Sequence, residues 1–117
     1  MGVLSTPRKL STASGAAPSF SARAFVNFNG TGVVAIRKAG NVSSITDNGT
    51  GSYSINFLQN MPDDLFAAVV SIQKDGLTGN ETGPSILTKT VSSVQVINIG
   101  YDSMYRDSSS VNVAVFG

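Results

Sequence analysis

The side chains of this chain that could do chemistry are few and of limited kinds. The sequence has no cysteine and no histidine, and its only glutamate is Glu81. Thiolates and imidazoles are the usual zinc ligands, and an imidazole is the usual base of a catalytic serine. A zinc site and a Ser-His-Asp hydrolase are therefore excluded, and we predict a non-enzymatic protein with no catalytic residue, metal or cofactor.

Two acidic clusters have turn-like surroundings. Asp63 and Asp64 follow Pro62, and adjacent residues rarely converge on one atom, so we interpret them as turn residues instead of a catalytic carboxylate pair. The run 47–49 (Asp-Asn-Gly) resembles the start of a calcium loop, but the chelating glutamate is missing at the required spacing. We interpret this run as a turn as well.

An aromatic and cationic cluster is the first candidate binding surface. Tyr101, Tyr105 and Arg106 lie close together in the sequence, and such groups contact sugars or protein partners. The alternative is a partly buried packing cluster without a ligand.

The N-terminal residues 1–19 are the second candidate. This stretch is rich in Ser, Thr, Ala, Gly and Pro and lacks the apolar core of a secretory signal. We predict an extended arm that becomes ordered on a partner, the alternative being a disordered tail without function. Its candidate anchoring residues are Leu4, Arg8, Lys9 and Leu10.

Length and composition indicate one small domain whose polarity is carried by uncharged groups. The chain has 117 residues, of which 13% are charged, with 17 Ser, 9 Thr and 9 Asn. The net charge of +1 gives no strong field for nucleic acid or an anionic membrane. No apolar run approaches the 18 or so residues of a membrane-spanning helix. Nucleic-acid binding and membrane insertion are therefore not expected.

The elements that position these residues are predicted to be short strands. Alternating apolar and polar residues recur from Phe20 onward, with turn signals about every ten residues, and no convincing amphipathic helix interrupts them. This pattern predicts an all-β antiparallel β-sandwich, jelly-roll-like or Ig-like, with seven or eight strands over residues 20–117 and the arm 1–19 outside it. The expected core consists of large apolar side chains from these segments: Phe20, Val26, Phe28, Ile36, Tyr53, Ile55, Phe57, Val70, Ile97, Val113 and Val115.

Two segments of the chain depart from simple alternation. Residues 65–73 are more continuously apolar, which favours a central strand buried on both faces; a helix is the competing interpretation. Residues 74–84 contain three glycines and a proline and are predicted to form the longest loop.

Two blocks of sequence resemble a known family. They are Ser21-Ala-Arg-Ala-Phe-Val-Asn-Phe-Asn-Gly-Thr-Gly32, continuing through Val34-Ala-Ile-Arg37, and Asn41-Val-Ser-Ser-Ile-Thr-Asp-Asn-Gly-Thr-Gly-Ser-Tyr-Ser-Ile-Asn-Phe57. The chain resembles the β-rich domain at the C-terminal end of tail-fibre and other virion structural proteins of tailed bacteriophages. The likeness covers about 20–72 and the closing 111–117, with Phe25 where the family usually has Trp.

The resemblance implies a virion structural protein, commonly a homotrimer, that acts without catalysis. The expected role is a tail-fibre or receptor-facing appendage used in host attachment. The alternatives are a capsid decoration protein and, outside phages, a free carbohydrate-binding module. Expected partners are other copies of the chain, other virion proteins contacted through the arm, and a host-surface glycan or protein.

Overall fold

The computed structural model describes residues 21–73, 82–100 and 103–117 and shows eight β-strands with no helix in these ranges. No described segment is a helix that could cross a membrane. The strands are β1 (Ala24–Asn29), β2 (Ala35–Gly40), β3 (Val42–Gly49), β4 (Ser52–Phe57), β5 (Ala67–Ile72), β6 (Thr82–Lys89), β7 (Ser93–Gly100) and β8 (Val111–Phe116). The predicted all-β sandwich is confirmed.

The strands form two four-stranded sheets with only antiparallel pairing. The first sheet has the order β2-β1-β8-β5 and the second the order β3-β4-β7-β6. The immunoglobulin fold has the orders A-B-E-D and C-F-G. If β3 is taken as strand A, the sheet β3-β4-β7-β6 has the order A-B-E-D. In the other sheet, β5, β8 and β1 then correspond to strands C, F and G, and β2 is an additional edge strand beside β1. The strand order is therefore Ig-like with a circular permutation, and β1 lies beside β8.

The core lies between the two sheets and follows from the period-two pattern of the central strands. In β1 the side chains of Ala24, Val26 and Phe28 are buried, while the residues between them face outward. Two edge-to-face aromatic pairs fill the interior, with ring centroids 5.1 Å apart for Phe28–Tyr53 and 5.7 Å apart for Phe57–Phe66. The buried apolar side chains are Ala24, Val26, Phe28, Tyr53, Ile55, Phe57, Met61, Phe66, Val94, Val96, Val111, Val113 and Val115.

The core expected from the sequence agrees with this set at most positions. Seven of the expected residues are buried: Val26, Phe28, Tyr53, Ile55, Phe57, Val113 and Val115. Val70 and Ile97 are half-buried, and Phe20 lies outside the described residues. The expectation for Ile36 was wrong: its side chain is 38% exposed because β2 is an edge strand with a neighbour on one side only.

The expectation for residues 65–73 was also wrong in part. The segment does form a strand, β5, but this strand is an edge of the first sheet instead of a central strand buried on both faces. Its outward-facing Val69 is 56% exposed. The predicted loop 74–84 is shorter than expected at its end, since β6 begins at Thr82, and residues 74–81 lie outside the described residues.

Candidate interaction surfaces

A row of amide and hydroxyl side chains crosses the outer face of the first sheet. Asn27 on β1, Asn112 on β8 and Ser71 on β5 share this face because the strand register pairs them directly. Asn27 Nδ2 donates to Asn112 Oδ1 at 2.6 Å and to Ser110 Oγ at 3.0 Å, and Asn112 Nδ2 donates to Ser71 Oγ at 3.4 Å. We call Asn27, Asn112 and Ser71 the polar row. It offers hydrogen-bonding groups without net charge.

An apolar row lies next to the polar row on the same face. Phe25, Ala114 and Val69 are paired across β1, β8 and β5, and Phe25 is 41% exposed. These three residues, the apolar row, border a shallow depression of about 350 Å³ that Lys38 and the polar row also line. Exposed apolar side chains grouped in this way mark contact surfaces more often than isolated ones do.

The cluster predicted around residues 101–106 is only partly described. Tyr105 is 44% exposed and forms an isolated β-bridge with Ile99. The backbone of Arg106 is fixed on β7: its N–H donates to Asn98 O at 2.9 Å, and its carbonyl accepts from Asn98 Nδ2 at 3.0 Å. Tyr101 lies outside the described residues.

A polar junction that the sequence did not predict lies under the segment 103–110. The Tyr53 hydroxyl is 2.8 Å from both the Gly30 carbonyl and Asp107 Oδ1. The phenol carries one hydrogen, so it donates to one of these acceptors at a time. Asp107 Oδ1 also accepts from the Gly51 N–H at 2.7 Å. Three separate chain segments, around residues 30, 51–53 and 107, therefore meet at one phenol and one carboxylate.

Burial makes the Tyr53 hydroxyl a weaker acid than an exposed tyrosine. The loss of water around the ring raises the pKa of Tyr53 well above its ordinary value, and the neighbouring Asp107 carboxylate adds to this rise. The phenol therefore stays protonated and remains a hydrogen-bond donor under all ordinary conditions. This junction holds the segments around residues 30, 51–53 and 107 together.

The acidic residues considered in the sequence have local roles. Asp63 Oδ1 accepts from the Leu65 N–H at 2.9 Å, and Asp47 Oδ1 accepts from the Gly49 N–H at 3.0 Å. Asp63 thus stabilises the bend that follows Pro62, as predicted. The predicted turn at 47–49 was wrong in its position: these residues end β3, where Asp47 lies at a register shift, and the turn follows at 50–51. Within the described ranges no three acidic, histidine or cysteine side chains come together as a metal-binding group.

The anchoring residues of the arm lie outside the described residues, and the two rows on the first sheet were not identified from the sequence. Each row joins residues from β1, β8 and β5, separated by more than 40 positions in the chain, so only the strand register brings them together.

No protein family model, curated protein or solved structure matches this chain.

Proposed function

We propose that this chain is a non-enzymatic structural component of a tailed-bacteriophage virion, acting as a tail-fibre or receptor-facing appendage in host attachment. The observation that carries the proposal is the pair of sequence blocks within residues 21–57, which resemble the β-rich domain of such proteins. The all-β fold is compatible with the β-rich domain of these proteins.

The surface chemistry is compatible with a protein whose work is contact. The outer face of the first sheet presents amides, hydroxyls and apolar side chains, and the Lys38 ammonium lies beside them. Neutral hydrogen-bonding groups next to apolar area suit a glycan or a protein surface, since neither group requires a charged partner. In this proposal the arm 1–19, through Leu4, Arg8, Lys9 and Leu10, binds another virion protein.

The test is to look for the protein in purified phage particles. Particles banded in a density gradient are digested, and peptides of this chain are quantified against the major capsid protein. Immunogold labelling then locates the chain on the particle. We expect a few dozen copies or fewer per particle, with label at the tail.

The alternative within phage biology is a capsid decoration protein, and copy number separates the two. A decoration protein would approach the number of capsid lattice positions and label the head. Absence of the chain from particles would contradict both roles and favour a free binding module, which glycan-array binding of the isolated protein would then test.

A further inference from the structure

Three of the four sheet edges carry features that discourage pairing with another strand. At β2 these are Arg37 and Lys38, with a register shift beside Arg37. At β3 there is Asp47 with two register shifts, and at β6 there is Pro84 with one shift. Charges, prolines and bulges of this kind protect edges against unwanted strand addition.

The fourth edge, β5, has none of these features in its own residues, although Lys89 Nζ binds the Phe66 carbonyl at 2.9 Å directly before the strand. Its six residues pair with β8 in an unbroken register from Ala67 to Ile72. The chain from Leu65 to Gln73 contains no ionisable side chain, no proline and no glycine. A regular, uncharged, apolar strand at a sheet edge is the type that accepts a further strand.

The hydrogen-bonding groups on the free side of β5 can be identified from the pairing with β8. The Gln73 N–H donates to the Ser110 carbonyl at 3.0 Å in the same register as the strand. Antiparallel hydrogen bonds involve every second residue, so residues 67, 69 and 71 also bond to β8. The N–H and C=O groups of Ala68, Val70 and Ile72 therefore point to the free edge.

Charge decides which strand could pair with this edge. Each of the other described edge strands contains an ionised side chain, which would lose part of its hydration on pairing with an uncharged strand. The β5 strand of a second copy has no ionisable side chain. A two-fold axis perpendicular to the sheet also places two copies of the same strand antiparallel, with their outer faces on the same side.

We propose that β5 is the docking edge for a second copy of this chain, paired antiparallel with its own β5 about a two-fold axis near Val69 and Val70. The two first sheets then form one eight-stranded sheet. The apolar rows of both copies meet at the axis, and the exposed Val69 side chains become covered. The contact rests on the strand itself and does not depend on the proposed function.

This contact differs from the homotrimer that the family resemblance implies. A ring of three copies joined by strand pairing would need two different edges to meet, such as β5 against the β2 of the next copy. Arg37 and Lys38 and the register shift make β2 a poor partner for an uncharged strand. The structure therefore favours pairs of chains over rings of three.

The experiment measures mass and amide exchange of the full chain from micromolar to millimolar concentration. Sedimentation should show a shift from the 12.1 kDa monomer to a species of twice that mass. Hydrogen exchange followed by NMR should show Ala68, Val70 and Ile72 becoming protected as the dimer forms. The amides of Ala67, Val69 and Ser71 should be protected at every concentration because they bond to β8.

A charged substitution at the β5 edge provides the second part of the test. Val69→Lys puts two ammonium groups beside each other at the axis and should weaken dimerisation about tenfold or more. Val33→Lys is the matched control: this valine is 88% exposed in the β1–β2 connection and should leave dimerisation unchanged. Circular dichroism confirms that both variants are folded.

Four results would overturn the proposal. The first is a monomer at all concentrations with unprotected amides at Ala68, Val70 and Ile72. The second is a monomer in which these amides are always protected, which would mean that another part of the same chain covers the edge. The third is a dimer insensitive to Val69→Lys, and the fourth is a trimer.

Discussion

The Tyr53 phenol joins three separate segments of the chain. It lies against the Gly30 carbonyl and the Asp107 carboxylate, and Asp107 in turn accepts from the Gly51 N–H. A buried hydroxyl of this kind contributes little as an isolated hydrogen bond, but its removal takes the phenol donor from the buried Gly30 carbonyl, whereas the exposed Asp107 carboxylate keeps the Gly51 N–H. The energetic role of Tyr53 is therefore larger than one contact suggests.

Substitution of Tyr53 by Phe tests this role through stability and its pH dependence. At pH 7 we expect Tyr53→Phe to lower the free energy of unfolding by about 1–3 kcal/mol. The unfolded phenol loses its proton near pH 10, whereas the folded one keeps it because its pKa is raised. Wild-type stability should therefore fall above about pH 10, by up to about 1.4 kcal/mol per pH unit from this group.

The measurement is urea unfolding of both proteins from pH 7 to pH 11. The Tyr53→Phe variant lacks this contribution, so the stability difference between the two proteins should narrow above about pH 10. Tyr105→Phe is the matched control, since it removes a hydroxyl from an exposed ring and should cost little at pH 7. Stability curves that stay parallel across the whole range would contradict the assignment.

At the scale of elements, the strands were predictable and their neighbours were not. Alternation identifies β1 and β8, because a strand with one face in the core shows its period in its own residues. It does not reveal which strand lies beside which. The composition of β5 is that of a central strand, and only the sheet order shows that no described strand lies on its second side.

The same limit applies to the candidate surfaces. The polar row depends on register over 40 or more positions, and no local pattern contains that information. The Tyr53–Asp107 junction was missed for the same reason, since 54 positions separate the two residues. A buried aromatic residue with a polar tip does at least signal that some partner is needed.

The β3–β4 turn shows how one element depends on another. Gly51 has a φ of +67°, and a Cβ added there would lie 2.6 Å from the Arg106 nitrogen and 2.9 Å from the Asn98 carbonyl oxygen. The glycine therefore satisfies two requirements at once. It adopts the left-handed region, and it allows the segment 103–110 to pack against the turn.

Two glycine substitutions separate these requirements. Gly32 has a φ of +59° and open space around it, so Gly32→Ala should cost about 1–2 kcal/mol for the left-handed backbone alone. Gly51→Ala adds a backbone clash and should cost about 3 kcal/mol or more. Urea midpoints of both variants give the comparison, and equal losses would show that the segment 103–110 does not constrain the turn.

At the scale of the whole molecule, the arm and the sandwich are expected to have separate roles. If residues 1–19 attach the domain to a particle, their deletion should leave a folded sandwich that no longer incorporates. Circular dichroism measures folding, and peptide quantification on purified particles measures occupancy. Full occupancy of the truncated chain would place the attachment surface on the sandwich itself.

A length-preserving variant is the control for that deletion. Replacing Leu4, Arg8, Lys9 and Leu10 by serine keeps the arm but removes its apolar and charged groups. If these side chains make the attachment, this variant should lose occupancy as the deletion does. Retained occupancy would mean that arm length or backbone, not these four residues, is what matters.

The pairing of β1 with β8 also determines how the domain responds to mechanical force. Ala24 at the start of β1 lies opposite Val115 near the end of β8, so the two strands enter and leave at the same end of the sheet. Tension applied between the segments before β1 and after β8 would break their hydrogen bonds one pair at a time, like a zipper. In shear, with the two strands pulled along their length in opposite directions, all these bonds would have to break together. Because the two strands enter and leave at the same end of the sheet, the tension described here does not load them in shear. The sandwich is therefore suited to hang from one end, and poorly suited to carry load through the chain as a link between two neighbours.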